Sequence, residues 1–369
     1  MEAPRRGPIP PHRSCHRTDF PPLVDTQLDL LTPTTMRARR SRRFDPAVVT
    51  TALGLMPSSR VAAVDIGGDK ISASFFSVAG GELAQDGPSF ARRATAGAGY
   101  LDVLEEVSQR TAVTSAPLGI SYAGPLDGST ILDGMNLPVF VKEFRVRYGG
   151  DFAQLNPRAT VLNDGEAGLL AAAVDAVRRH PGLRNIILVI NGSGLNTTAL
   201  IDGVVFTAEA GHAPVVAQLN PFGQTKACGM QGATYVCMEN VAASKAGIED
   251  IWCRLRGEPA GGRQVAAAEA AGDELAAELY DNSALVTAHL ILGTARALGM
   301  SRDWSKTAVV GHGGTFQVPR FRERVERILT SALSTEIRFF VTTEFTANAC
   351  IDGAAIAALF CPQVTARRK

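Results

Sequence analysis

Asn163 and Asp164 are the pair of side chains in this sequence best suited to chemistry on a hydroxyl group. A carboxylate can accept the proton of an attacking hydroxyl, and a neighbouring amide can donate and accept hydrogen bonds at once. Both residue types also favour helix N-caps, and a helix is predicted from Glu166 to Arg178. Taken alone, the pair is more simply interpreted as a cap, although a cap and a general base are compatible roles.

A glycine turn that could admit a phosphate group lies upstream of this pair. The apolar run from Val61 leads into Asp65-Ile66-Gly67-Gly68, followed by Asp69 and Lys70. Glycine lets backbone N–H groups approach phosphate oxygens without obstruction by a side chain. A carboxylate at the strand end, here Asp65, could hold Mg²⁺ directly or through water. The alternative is an ordinary hairpin turn.

Two further glycine turns follow downstream, and each also comes after an apolar strand. Several such turns around one carboxylate would suit the transfer of a phosphate group to a hydroxyl. The turns are Gly192-Ser193-Gly194 and Gly311-His312-Gly313-Gly314.

The elements that must position these residues alternate between strand and helix, which predicts an α/β fold. A second strand–turn–strand unit, 185–201, echoes the first, 61–78, as expected for a duplicated fold with a cleft between its halves. We expect a disordered leader over 1–58, one domain over 59–178 plus 352–369, and a second domain over 179–351. Helices are predicted at 100–111, 166–178, 238–255, 266–280, 284–298, 320–333 and 352–359.

In this order along the chain, the motifs resemble the ROK family (repressors, open reading frames, kinases). The resemblance runs from about Val61 to Leu359 and implies a two-domain actin-like (ribonuclease-H-like) sugar-kinase fold, with nucleotide and acceptor in the interdomain cleft. It implies ATP and Mg²⁺ as cofactors, a small-molecule sugar or cyclitol as acceptor, and a homodimer. At two places the sequence departs from the family pattern: Asp69 stands where threonine is usual, and Asn196 follows a shortened second glycine run.

The resemblance assigns roles to particular residues. Asp164 is the expected catalytic base, and Asp65 is the expected magnesium ligand. The expected acceptor-binding residues are Asn136, Asn163, Asp164, Glu209, His212 and Glu239. The expected ATP-binding residues are Asp65, Gly67, Gly68, Asp69, Lys70, Gly192, Ser193, Gly194, Gly311, Gly313 and Gly314.

Zinc binding is left open by the sequence. Many family members hold a structural zinc through one histidine and three cysteines. Here His212, Cys228 and Cys237 match, but Lys226 replaces the first cysteine and four extra residues precede Cys237. Structural zinc needs four ligands, and nothing in the spacing identifies the fourth. A loop that reshapes the acceptor pocket is the alternative.

The composition excludes several classes of protein. Apolar residues make up 46%, charged residues 20%, and the formal net charge is +1, so no overall field favours nucleic acid or an anionic membrane. Six scattered cysteines in 369 residues do not form a disulfide framework. We therefore expect a cytoplasmic protein with no nucleic-acid or membrane partner.

The motifs and the resemblance to the ROK family together predict an ATP-dependent kinase. It would phosphorylate a primary hydroxyl of a hexose or of a hexose-like cyclitol, and a C7 cyclitol of secondary metabolism is a plausible acceptor. The alternative is a non-catalytic sugar sensor, or pseudokinase, of the same fold. Asp69 and the shortened second glycine run favour the sensor. Asp164 and Asp65 favour the kinase, since a sensor needs neither a base nor a metal ligand.

Overall fold

Alternating strands and helices build two six-stranded sheets in the computed structural model of the chain. The structure describes residues 39–56, 59–87, 89–132, 134, 137–223, 226–228, 234–300 and 304–360. None of the helices within those ranges is long and apolar enough to cross a membrane.

The first sheet contains the strands around the first glycine turn. Its order is β4-β3-β2-β6-β9, and β5 also pairs with β3. Strands β2, β6 and β9 are parallel, whereas β2, β3 and β4 form an antiparallel meander. The carboxyl ends of the parallel strands therefore meet at one edge. The strands are β2 Arg60–Ile66, β3 Lys70–Ala79, β4 Glu82–Gln85, β5 Phe90–Arg93, β6 Leu118–Tyr122 and β9 Ala159–Asn163.

The second sheet repeats the antiparallel meander with parallel strands beside it. Its order is β1-β12-β11-β10-β13-β14, with β10, β13 and β14 parallel. A small hairpin, β7 Leu126–Asp127 with β8 Thr130–Ile131, stands apart from both sheets. The strands of the second sheet are β1 Arg39–Arg43, β10 Asn185–Asn191, β11 Leu195–Ile201, β12 Val204–Ala208, β13 Thr307–His312 and β14 Arg338–Val341.

Helices cover both sheets and bury apolar cores against them. They are α1 Pro46–Leu55, α2 Tyr100–Thr114, α3 Pro138–Tyr148, α4 Phe152–Leu155, α5 Asp164–Arg179, α6 Glu239–Ala242, α7 Asp250–Arg256, α8 Gly262–Ala270, α9 Glu274–Ala297, α10 Phe321–Leu333 and α11 Ala349–Phe360.

Helix α11 packs against the alanine-rich helix α5 and on strands β2 and β6. The contact is backbone to backbone, because a Cβ atom on Gly353 would lie 1.7 Å from the carbonyl oxygen of Ala167. Similarly, a Cβ on Gly119 would lie 2.0 Å from the carbonyl oxygen of Ala354. Glycine is therefore required at both positions for the last helix to seat on the first sheet.

The disordered leader predicted for residues 1–58 is wrong for its described part; residues 1–38 lie outside the described residues. Strand β1 pairs antiparallel with β12 at the edge of the second sheet, and Asp45 caps α1 by accepting from the N–H groups of Ala47 and Val48. Phe44, Val49 and Leu53 are buried in a core shared with α5, Val78 of the first sheet and Val205 of the second. The segment that contains these three residues can therefore fold, because residues of both sheets pack against its apolar side chains.

Two helix boundaries also differ from those predicted. The helix expected over 238–255 is divided into α6, a π-helical turn at Ser244–Glu249 and α7. The break expected between 280 and 284 lies instead at Gly272, whose φ is +89°, and Asp273 then caps α9 by accepting from the Ala276 N–H. Helix α9 continues unbroken through 281–283, because tertiary packing buries Asn282 and Ser283.

Candidate active site

The first half of the site lies at the carboxyl edge of the parallel strands of the first sheet. Asp65 on β2 stands beside Ser121 on β6, and the Ser121 hydroxyl donates a 2.8 Å hydrogen bond to Oδ1 of Asp65. Tyr122 is in register with Asn163 at the end of β9, so Asp164 follows at the same edge. The parallel register thus brings Asp65 and Asp164 together across about a hundred residues of chain.

Asn163 is the N-cap of helix α5, and Asp164 is its first residue. The Oδ1 atom of Asn163 accepts from the Gly165 N–H at 3.0 Å, while its Nδ2 donates to the Gly124 carbonyl at 3.0 Å. The same Gly165 N–H also donates to Oδ1 of Asp164 at 2.8 Å. Hydrogen bonds from Gly165, from the backbone of Asp164 and from Asn163 act to lower the pKa of the Asp164 carboxyl. The cap and the candidate base are therefore separate residues.

Burial raises the pKa of Asp164 from 3.8 to about 6, and repulsion from the Asp65 carboxylate adds to that shift. Burial also raises the pKa of Asp65 to about 6, although the Ser121 hydrogen bond and the charge of Lys70 act in the opposite direction. A carboxylate with a raised pKa is a stronger base than a solvated one, which suits proton abstraction near neutral pH.

The second half of the site comes from the second sheet. Glu209 follows β12, and burial raises its pKa to about 7, with repulsion from Asp164 and then Glu239 adding to the shift. The Nδ2 of Asn196 donates to Oε2 of Glu209 at 3.0 Å, and the Oδ1 of Asn196 accepts from the Ala210 N–H at 3.0 Å. The structure therefore brings carboxylates of both sheets to one place.

Glu239, one of the residues expected to bind the acceptor, contacts the second glycine turn. Its Oε2 atom accepts from the Leu195 N–H at 3.1 Å, directly after Gly194. The turn itself is closed by a 2.9 Å bond from the Gly192 N–H to the Gly194 carbonyl, and it leaves the side chain of Ser193 exposed. An exposed hydroxyl on a tight glycine turn is available to a phosphate oxygen.

The other two glycine turns also lie at strand ends. Gly67, Gly68, Asp69 and Lys70 connect β2 to β3, and the Gly67 N–H donates to the Lys70 carbonyl at 2.9 Å. The side chain of Asp69 is exposed there. Gly311 is a buried residue near the end of β13, while Gly313 and Gly314 follow the strand.

His212 lies beside two buried cysteines. Its Nδ1 atom is 3.4 Å from Sγ of Cys228 and 3.9 Å from Sγ of Cys237, and the ligand atoms of all three residues lie within 4.8 Å of one another. Burial raises the pKa of Cys237 to about 12. Bonds of about 2.0–2.3 Å to one tetrahedral zinc ion would hold the ligand atoms roughly 3.3–3.8 Å apart. The two distances from His212, 3.4 and 3.9 Å, are close to that range, so the three residues could supply three of the four ligands that a structural zinc needs.

Asn136, also expected at the acceptor site, lies outside the described residues. Sequence reasoning missed Ser121 and the contact of Asn196 with Glu209. Only the position of Ser121 at the end of an apolar strand could have indicated it. Neither contact follows from local spacing, because each depends on strand register.

Residues 61–360 match the model of the ROK family. Among curated proteins, none matches the sequence significantly.

A ROK hexokinase from Thermus thermophilus is similar in structure, with a TM-score of 0.58 and 20% identity over 81% of this chain and 98% of that one. A ROK glucokinase from Streptomyces griseus, in complex with glucose and AMPPNP, has a TM-score of 0.55 and 19% identity over 80% and 98%.

A ROK transcriptional regulator, described as a homolog of the E. coli MLC protein, has the same TM-score, 0.55, at 18% identity over 81% of this chain and 78% of that one. At these identities the likeness shows the fold alone. The predicted actin-like α/β sugar-kinase fold is confirmed, but the fold is shared by kinases and by a regulator.

Proposed function

The chain belongs to the ROK family, and we propose that it is an ATP- and Mg²⁺-dependent kinase that phosphorylates a primary hydroxyl of a hexose or a hexose-like cyclitol. The position of Asp164 carries the proposal. Its carboxylate has a raised pKa, belongs to the residue that follows the helix N-cap, and lies at the edge where the strand ends of the first sheet meet.

Asp164 takes the proton of the acceptor hydroxyl as that oxygen attacks the terminal phosphorus of the nucleotide. The bond from that phosphorus to the bridging oxygen breaks, and ADP leaves. Asn163, Glu209, His212 and Glu239 hold the other acceptor hydroxyls, since a site built to hydrogen-bond a hydroxyl rejects an acceptor that lacks it.

The glycine turns hold the nucleotide through backbone N–H groups. Asp65 is a suitable Mg²⁺ ligand because it offers carboxylate oxygens, which hard divalent cations prefer. When bound with the nucleotide, Mg²⁺ neutralises charge on the phosphate oxygens. Ser121 orients the Asp65 carboxylate through its 2.8 Å bond.

Two domains, 59–178 plus 352–369 and 179–351, close over the cleft in this proposal. Closure excludes water, so that phosphate passes to the acceptor rather than to solvent. The presence of cleft carboxylates on both sheets supports this arrangement.

A structural zinc ion is the second part of the proposal. His212, Cys228 and Cys237 would hold it, and the zinc would fix the loop that follows Glu209, with no part in the chemistry. The neighbouring residues 229–233 lie outside the described residues.

A non-catalytic sugar sensor is the competing function, favoured by the structural likeness to a regulator and by the exposed acidic side chain of Asp69 at the first glycine turn. The deciding experiment measures ATP-dependent ADP release over a panel of hexoses, N-acyl amino sugars and C7 cyclitols. Turnover on one acceptor supports the kinase. If the protein binds a sugar, but neither phosphorylates any acceptor nor binds Mg-ATP, the sensor is supported.

A further inference from the structure

The side chain of Asn191 is fully buried directly before the second glycine turn. Asn191 is the last residue of β10, and Gly192 follows it. Its Nδ2 atom donates to Oγ1 of Thr287 at 3.0 Å and to Oγ of Ser283 at 3.2 Å, both on helix α9. The amide is thus anchored to the longest helix of the second sheet's layer.

The other end of the same amide contacts the third glycine turn, residues 311–314. The Oδ1 atom of Asn191 accepts from Oγ1 of Thr315 at 3.0 Å, and Thr315 directly follows Gly313 and Gly314. The backbones of the two turns also touch, because a Cβ on Gly313 would lie 2.3 Å from the Asn191 carbonyl oxygen. Gly313 has a φ of +106°, which a residue with a side chain would adopt only with strain.

Helix α6, which begins at Glu239, is attached to the same hydrogen-bond network. The Ser244 N–H donates to the Gly192 carbonyl at 2.7 Å, just past the end of α6. The Ser283 hydroxyl donates to the carbonyl of Ala242, the last residue of α6, at 2.6 Å. Ser283 therefore links α6 to the Asn191 amide.

From this network we infer that Asn191 is a positioning residue for the nucleotide: its side-chain amide fixes the second glycine turn, 192–194, relative to the third, 311–314. The inference rests on the proposed function, in which both turns bind one nucleotide. A ligand that bridges two turns binds tightly only if their separation is already correct, so the amide contributes through preorganisation.

Asn191 itself is a poor residue to change, because its removal would leave several buried polar groups without partners. Thr315 allows a cleaner test. Thr315→Val keeps the side-chain shape and removes the hydroxyl that reaches Asn191, whereas Thr315→Ser keeps the hydroxyl. Thr111→Val is the control, because Thr111 is a buried threonine of the first sheet's layer whose hydroxyl donates to the Ser108 carbonyl at 2.8 Å.

The dissociation constant of Mg-AMPPNP is measured by calorimetry for the full-length protein and the three variants. Loss of one buried neutral hydrogen bond should weaken nucleotide binding about fivefold to tenfold in Thr315→Val. Thr315→Ser should restore binding to within about twofold of the wild type. Thr111→Val should bind the nucleotide normally even where its melting temperature falls as far as that of Thr315→Val.

Nucleotide affinity that is equal in Thr315→Val and the wild type overturns the inference, as does an equal loss in Thr111→Val. Failure of the proposed kinase activity gives a different result. A wild-type protein that binds Mg-AMPPNP but phosphorylates no acceptor refutes the kinase, while the comparison of Thr315→Val with Thr315→Ser still decides the inference. A wild-type protein that binds no nucleotide overturns both.

Discussion

The side-chain amide of Asn196 donates a hydrogen bond of 3.0 Å to Oε2 of Glu209. Asn196 also accepts from the Ala210 N–H, so its orientation is fixed from both ends of the amide. The residue that departs from the family pattern in the second glycine run therefore sets the position of the carboxylate that we propose to bind the acceptor.

Asn196→Asp should raise the KM for the acceptor by about tenfold, because a neutral donor is replaced by a carboxylate that repels Glu209. The KM for ATP should stay within about twofold, since the phosphate turn is unchanged. Steady-state kinetics with each substrate varied provide the test. Asn156→Asp, in the layer of the first sheet, is the control, and an equal rise in the KM for ATP would contradict the assignment.

Asp164→Asn should lower kcat by about 10²–10⁴, because the variant cannot accept a proton from the hydroxyl. Nucleotide binding should persist. Asp175→Asn changes the same residue type on the same helix, at the end remote from the cleft, and should leave kcat unchanged. Turnover by Asp164→Asn at the wild-type rate would assign the base to another residue.

The activity should depend on pH in the range where Glu209 and Asp164 titrate. Burial raises their pKa values to about 7 and about 6, so each carboxylate loses its charge as pH falls through those values. Since Asp164 must be ionised to act as a base, kcat/KM for the acceptor should decline below about pH 7 and more steeply below about pH 6.

The pH–rate profile of Glu209→Gln should lose the upper step and keep the lower one. An acid limb near pH 4, where ordinary carboxylates titrate at about 3.9–4.3, would show that the cleft does not raise these pKa values during turnover.

Zinc content offers a test that does not depend on activity. Protein purified without chelator should contain about one zinc per chain by elemental analysis, held in part by His212, Cys228 and Cys237. Cys228→Ser should lose the metal, whereas Cys253→Ser, which changes an exposed cysteine, should retain it. A zinc-free wild type would leave the three residues as an ordinary buried cluster.

Phe44→Ala should lower the free energy of unfolding by about 3–5 kcal/mol, because Phe44 is 3% exposed within a core shared by α1 and α5. Chemical denaturation provides the measurement. Leu55→Ala, at the end of helix α1 and 80% exposed, should change stability by no more than about 0.5 kcal/mol. Equal effects of the two substitutions would mean that the segment contributes little to the fold.

Much of the fold could be predicted from local pattern. Strand β10 coincides with the predicted 185–191, because its apolar run is bounded by a polar residue and a glycine turn. Asp65 and Asp164 could be selected from the same kind of pattern, since Asp65 lies near the end of one apolar strand and Asp164 directly follows another. The resemblance to the ROK family, now confirmed, supplied the fold that local pattern could not.

Contacts between distant segments could not be predicted. The bonds of Thr315 with Asn191 and of Ser121 with Asp65 join residues 124 and 56 positions apart, and only strand register brings them together. Strand β1, with the sequence Arg-Arg-Ser-Arg-Arg, has no alternation of apolar and polar residues. It pairs with β12 because β12 would otherwise be an edge strand with unpaired backbone N–H and C=O groups.

Because helix α11 packs against α5 and lies near the C-terminus, the first sheet can be completed only late in the synthesis of the chain. Helix α11 is the last described element to leave the ribosome, yet it covers β2 and β6, and Sγ of Cys350 lies 3.6 Å from the Asp164 carbonyl oxygen. A nascent chain therefore carries an open, apolar face on its first sheet until residues 349–360 emerge. Premature termination between residues 315 and 348 keeps every proposed site residue in the chain but leaves the first sheet without its final covering helix.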